Sequence, residues 1–230
     1  MSPITRILTL IGSPRAGKST SAALAHLLTA GLAGPGVTIE EVALTTAVRA
    51  AQRRDALLAA AAEADLIILA FPIYVDSLPA PVVRALELLA EHWAGHPHLR
   101  RPRLAALANC GFPEALHCET ALLQCEQFAR ETGLRWYGGI GVGEGGMLGE
   151  LLAAPAPDAP GKPTRRLCLN LQDAAAALRA DRPIPPEVLA QLARPTLPHR
   201  LYTLLASARW HWLARGNRAW SELRQTPYKT

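Results

Sequence analysis

Ile4-Thr5-Arg6-Ile7-Leu8-Thr9-Leu10-Ile11 runs straight into Gly12-Ser13-Pro14-Arg15-Ala16-Gly17-Lys18-Ser19-Thr20, and a segment rich in Ala and Leu follows. The apolar run predicts a buried strand, the glycines a tight turn, and the Ala/Leu segment a helix. The N–H groups that open a helix attract anions. Ser13, Ser19, Thr20 and Ser21 add hydroxyls, and Arg15 and Lys18 add positive charge. The stretch therefore predicts a site for a phosphate-bearing ligand. Its spacing, Gly12 then four residues then Gly17-Lys18-Ser19, also satisfies the nucleotide P-loop pattern. There the lysine reaches the β/γ-phosphates and the hydroxyl holds magnesium.

Outward from this loop the pattern alternates. A helix is expected over 18–33, stopped by Gly34-Pro35-Gly36, then a half-exposed strand over 37–44 and a helix over 51–64. Leu66-Ile67-Ile68-Leu69-Ala70-Phe71 is continuously apolar, as in a strand covered on both faces. A helix over 79–93, a strand over 103–109, a helix over 114–132 and a strand over 134–142 complete five β/α alternations. That rhythm predicts an α/β fold with a doubly wound, five-stranded parallel sheet in the order 2-1-3-4-5. From Gly143 the chain turns rich in Gly, Ala and Pro, and two short helices near 166–180 and 185–193 precede a longer one over 198–223. The expected organisation is a domain over 1–165 and a helical C-terminal extension over 166–230, packed on the core or on a partner subunit.

Composition bounds the function. A chain of 230 residues, half of them apolar and 19% charged, can bury a full core without staples. No run approaches the roughly 18–20 apolar residues of a membrane span, and with a strand beginning near residue 4 no signal peptide is expected. Cys110, Cys118, Cys125 and Cys168 match no zinc or iron–sulfur spacing, so they are expected as free core thiols in a reducing cytoplasm, with no metal site. Cys118 and Cys125 are expected to share a helix face. The net charge of +5 sits entirely in residues 199–230, where six basic residues face Glu222 alone. Arg209, Arg215 and Arg218 there admit a nucleotide 2′-phosphate, nucleic acid or an anionic membrane as partner. A solvated basic face is the better reading of them, and no nucleic-acid partner is expected.

In parallel sheets of this order, ligands bind where the loops after strands one, three and four meet. Those loops are Gly12–Thr20, Phe71-Pro72-Ile73-Tyr74-Val75-Asp76-Ser77-Leu78-Pro79-Ala80, and Asn109-Cys110-Gly111-Phe112-Pro113-Glu114. Together they resemble the flavodoxin-like NAD(P)H-dependent FMN reductases. The first loop is similar to that family's Gly-Ser-x-Arg loop with downstream Ser/Thr, which holds a single terminal phosphate, although Lys18 departs from the family's small or polar residue. The second is similar to its Pro-x-Tyr loop followed by Leu-Pro, which wraps the flavin ring, and the third to its Asn-x-Gly turn. The resemblance covers about residues 4–143. It implies that Ser13, Arg15, Lys18, Ser19, Thr20 and Ser21 hold the phosphate of FMN. Pro72, Ile73, Tyr74 and Val75 would line the ring, and Asn109, Cys110, Gly111 and Phe112 its opposite edge. More distantly, Trp212, Asn217 and Pro227-Tyr228 resemble the last helix of one oxidoreductase branch.

By that resemblance the expected function is an oxidoreductase that passes hydride from NAD(P)H through FMN to a quinone, nitro or azo compound, or free flavin, by a ping-pong route. No catalytic side chain is expected, because the cofactor carries the chemistry. The glycines around Tyr137–Gly143 leave room for a second substrate. A homodimer is implied as well. Two rivals remain. An electron-carrying flavodoxin fits the fold, but carriers are typically acidic and this chain has a pI near 9.3. A P-loop NTPase or kinase fits the first loop, but its magnesium normally needs a carboxylate at a strand end, where this chain has Phe71-Pro72 and Asn109.

Overall fold

The computed structural model describes residues 3–15 and 19–217, so Lys18, Arg218, Trp220 and Pro227-Tyr228 lie outside the described residues. Five parallel strands form one sheet in the order β2-β1-β3-β4-β5. They are β1 (Arg6–Ile11), β2 (Thr38–Ala43), β3 (Leu66–Pro72), β4 (Arg103–Asn109) and β5 (Arg135–Val142). The helices are α1 (Thr20–Ala30), α2 (Leu44–Ala47), α3 (Ala51–Glu63), α4 (Ala80–Gly95), α5 (Glu119–Thr132), α6 (Gly145–Ala153), α7 (Arg165–Arg179), α8 (Pro186–Leu192) and α9 (His199–Gly216). The chain forms two compact units, Met1–Thr196 and Leu197–Thr230. The first holds the sheet and α1–α8; the second holds α9.

The period of two along each strand explains why the central strands are apolar throughout. Leu66, Ile68 and Ala70 of β3 join Ile7 and Ile11 of β1 in one core, under α1, α6, α7 and α8. Ile67, Leu69 and Phe71 join Leu8 and Leu10 in the other, under α3, α4 and α5. Burying one Leu or Ile contributes about 1.5–3 kcal/mol, so each strand's two-sided burial anchors both helical layers. By contrast β2 is an edge strand, exposed over Thr38–Glu41. In α7, Leu167, Cys168, Leu171, Ala174, Ala175 and Leu178 form the buried stripe at helical spacing.

Three differences from the sequence reading have local causes. The helix expected from 114 begins as a 3-10 turn, Ala115–Cys118, and α5 starts only at Glu119. Glu114 thus precedes the turn, one residue after Pro113, which has no N–H to offer a helical ladder. Cys118 and Cys125 do share one core, though Cys118 reaches it from that turn. Finally, α6 forms inside the Gly/Ala-rich segment, with Leu148 and Leu152 buried one turn apart.

At the strand starts a polar clasp ties the sheet together. Asp65 accepts from the Thr5 N–H at 2.8 Å, the Thr5 hydroxyl at 2.9 Å and the Arg6 N–H at 2.9 Å, and pairs with Arg100. Arg103, 2% exposed, donates from Nε to Asp181 Oδ1 at 2.6 Å, and the Tyr137 hydroxyl donates to the same oxygen at 2.6 Å. Asp181 is held near pKa 2, chiefly by the Arg103 hydrogen bond. Burial alone would raise Asp65, yet the Thr5 and Arg6 N–H groups and Arg100 bring it down to about 2.

Candidate functional site

A cleft of about 190 Å³ opens at the other end of the strands, where the loops after β1, β3 and β4 meet. Its wall includes Ser13, Arg15, Ser19, Thr20 and Ser21 from the first loop and the start of α1. Pro72, Ile73 and Tyr74 come from the second loop, and Asn109 and Gly111 from the third. Gly145 and Gly146 close it from the start of α6.

Each hydroxyl of the first loop has a distinct task. Ser19 caps α1, accepting from the Ala22 N–H at 3.1 Å. Ser13, buried, accepts from the Arg15 N–H at 3.3 Å and tightens the turn. Thr20 donates to the Gly145 carbonyl at 2.7 Å, and Ser21 donates to Asn109 Oδ1 at 2.6 Å. Gly12 serves packing: a Cβ there would lie 2.2 Å from Val82 Cγ2 and 2.9 Å from Phe71 Cβ, so only glycine lets α4 close over β1.

The second loop is a tight turn bridged between Tyr74 and Ser77, with both backbone N–H···O contacts at 3.4 Å. Its central residues, Val75 and Asp76, take φ of 53° and 57°, a left-handed pair without a glycine. Val75 is 98% exposed and stands outside the cleft wall, whereas Ile73 is buried and donates from its N–H to the Asn109 carbonyl at 2.9 Å.

On the third loop the residues part company. Cys110 is buried in the core beneath α4 and α5, and its thiol faces the Phe112 and Glu114 carbonyls at 3.4 and 3.3 Å. A hydrogen bond with Cys118 lowers the Cys110 pKa and raises that of Cys118, while burial alone pushes Cys125 up to about 12. Phe112 is exposed and stacks on His117 with ring centroids 4.5 Å apart. Cys110 and Phe112 therefore flank the wall that Asn109 and Gly111 build.

Gly145 and Gly146 join the cleft wall beyond the glycines within 137–143 that the sequence marks as an open strand end. A Cβ at Gly145 would lie 2.7 Å from Asn109 Nδ2 and 2.8 Å from the Cys110 carbonyl oxygen. At Gly149 it would lie 2.6 Å from Thr20 Oγ1, so α6 can lie against α1 only because that residue lacks a side chain. The available signal was Leu148 and Leu152 at helical spacing.

The residues present fit FMN. The start of an 11-residue helix, ringed by hydroxyls and Arg15, suits a phosphate monoester. A Cβ at Gly111 or Gly146 would meet nothing within 4 Å, so bare backbone faces open space where a flat ring could approach.

Fold and cleft define a flavodoxin-like α/β protein with a cleft at the switch point of its sheet. The sequence model of the NADPH-dependent FMN reductases matches residues 5–125, just over half the chain and all three cleft loops. The chain belongs to that family: it is an NAD(P)H-dependent oxidoreductase that works with FMN. No curated protein matches it in sequence. Among solved structures it is similar to an NADH:FMN oxidoreductase in its apo form, at 17% identity over 84% of this chain and 96% of that one, with a TM-score of 0.54. It is also similar to an FMN-dependent NADH-azoreductase from Bacillus anthracis in complex with FMN, at 10% identity over 76% of this chain and all of the other, with a TM-score of 0.52. At these identities the likeness speaks for the fold. No helix among the described residues is long and apolar enough to cross a membrane.

Proposed function

We propose that this protein carries reducing equivalents from NAD(P)H to a small acceptor, namely a quinone, a nitro or azo compound or free flavin, by a ping-pong route. FMN, when bound, would supply the redox chemistry: a hydride from the nicotinamide inward, and two electrons with two protons, one of them from solvent, outward to the acceptor. The chain's own residues bind and orient. The start of α1, with Ser13, Arg15, Ser19 and Thr20, anchors the phosphate, and Lys18 belongs to the same loop. Pro72, Ile73 and Tyr74 hold one edge of the ring, and Asn109 and Gly111 the other. The observation that carries this reading is the convergence of all three loops on one cleft whose ring end is bounded by Gly111 and Gly146 backbone. Such an open end lets nicotinamide and acceptor occupy the same place in turn.

The two rivals find less support. The strands that reach the cleft end in Pro72 and Asn109, neither of which offers the carboxylate that phosphoryl transfer on magnesium requires. An electron carrier needs no open seat for a second substrate. The same reading includes a homodimer, a reducing cytoplasmic setting for the four free thiols, and residues 166–230 as a helical extension of a domain over 1–165.

The test is anaerobic titration of the FMN-loaded protein with NADPH, followed by a quinone. The flavin bands should bleach and then return, and initial rates should give parallel double-reciprocal lines. Intersecting lines would remove the ping-pong route. Bleaching without turnover would favour the carrier, and failure to take up FMN would end the reading.

A further inference from the structure

Beside the cleft, the second and third loops meet in a cluster of Asp76, Phe112 and His117 that stands outside the cleft wall. Phe112 is 58% exposed, and its ring lies 4.5 Å from that of His117 with the planes tilted by 35°. His117 Nδ1 in turn lies 3.6 Å from Asp76 Oδ1 across the loops. Asp76 sits on the turn that carries Tyr74, and Phe112 directly follows Gly111; Tyr74 and Gly111 both line the cleft. The Asp76–His117 contact therefore joins the two loops at the cleft's rim. Large exposed side chains gather there, Tyr74 at 56% beside the left-handed Val75-Asp76 pair and Phe112 at 58% on the facing loop.

We propose that Phe112 and His117 form a stacking platform for a flat, uncharged aromatic acceptor of the quinone type, with Asp76 as the residue that positions the imidazole. This rests on the oxidoreductase reading given above. An aromatic face attracts another aromatic face in offset or tilted geometry, and a paired imidazole holds its plane instead of rotating. Asp76 puts a carboxylate at the same rim, which weighs against anionic acceptors. The platform selects the acceptor's shape and charge; the electrons come from the cofactor.

The experiment compares menadione with ferricyanide, which has no aromatic face, as oxidants of the NADPH-reduced, FMN-loaded protein in stopped flow. Phe112→Ala should lower the ratio of menadione to ferricyanide rate constants at least tenfold, and Phe112→Trp should restore it. Asp76→Asn should raise KM for menadione several-fold while kcat stays within twofold, a split that a general loss of fold would not give. FMN uptake and the unfolding midpoint are read for every variant. If NADPH bleaches the wild-type flavin and Phe112→Ala leaves the ratio unchanged, or both oxidants slow equally, the platform is overturned while the oxidoreductase stands. If NADPH never bleaches the wild-type flavin, the oxidoreductase reading falls and the platform with it.

Discussion

The Ser21 hydroxyl donates to Asn109 Oδ1 at 2.6 Å, and both residues are buried, at 1% and 6% exposure. This bond fastens the first turn of α1 to the last residue of β4, and both residues line the cleft. Ser21→Ala should leave the Asn109 side-chain oxygen Oδ1 buried without this donor, at a cost of about 1–3 kcal/mol. Urea unfolding should show the lower midpoint, and FMN titration a weaker dissociation constant. An unchanged midpoint would mean that water replaces the hydroxyl.

Gly145 and Gly146 should respond differently to the same added methyl group. Gly145→Ala drives a Cβ to 2.7 Å from Asn109 Nδ2, so the start of α6 must shift, at about the 1–3 kcal/mol typical of overpacking. Gly146→Ala meets no atom within 4 Å and should leave the unfolding midpoint in place. It adds bulk to the cleft wall, so FMN affinity should fall without loss of stability. Calorimetry of both variants, with and without FMN, separates the two effects.

Much of the site was legible because its signals are local. The β4 strand spans the expected residues, since an apolar run next to a charged start and a polar end has one reading. The three loops were identifiable from turn residues beside strands, and the parallel order followed from the alternation. What stayed hidden is held by distant partners. Ser21 and Asn109 are 88 residues apart, so nothing near Ser21 reveals that its hydroxyl is engaged. The three glycines of α6, at 145, 146 and 149, lower helix propensity, and only the packing of α6 on α1 explains them. Val75 carries no turn signature either, because a β-branched residue is a poor occupant of the left-handed region it adopts.

That misfit gives a prediction of opposite sign. Val75→Asn should stabilise the protein by about 1 kcal/mol, since a left-handed L-residue costs roughly 1–2 kcal/mol and Asn tolerates the conformation best after Gly. Val75 is 98% exposed, so little packing is lost. A higher urea midpoint is the expected result; a lower one would show that the valine makes a contact worth more than its strain.

Acid should weaken the clasp at the strand starts. Asp65 and Asp181 both titrate near 2 in the fold, below the roughly 3.9 of an unfolded aspartate. A depressed folded value means that the stabilisation is complete above about pH 4 and disappears as pH falls toward 2. Asp181→Asn should flatten part of that acid limb and lower stability at neutral pH, because buried Arg103 then loses its carboxylate. Equilibrium unfolding of both proteins between pH 2 and 6 provides the comparison.

The clasp and the cleft occupy opposite margins of the sheet, the one at Thr5, Asp65 and Arg103, the other at Ser13, Tyr74 and Gly111. Asp65, Arg103 and Asp181 are absent from the cleft wall, so acid that loosens the clasp acts on no residue lining the cleft. The cleft therefore meets low pH with its own wall unaltered, while the strand starts lose their carboxylate ties.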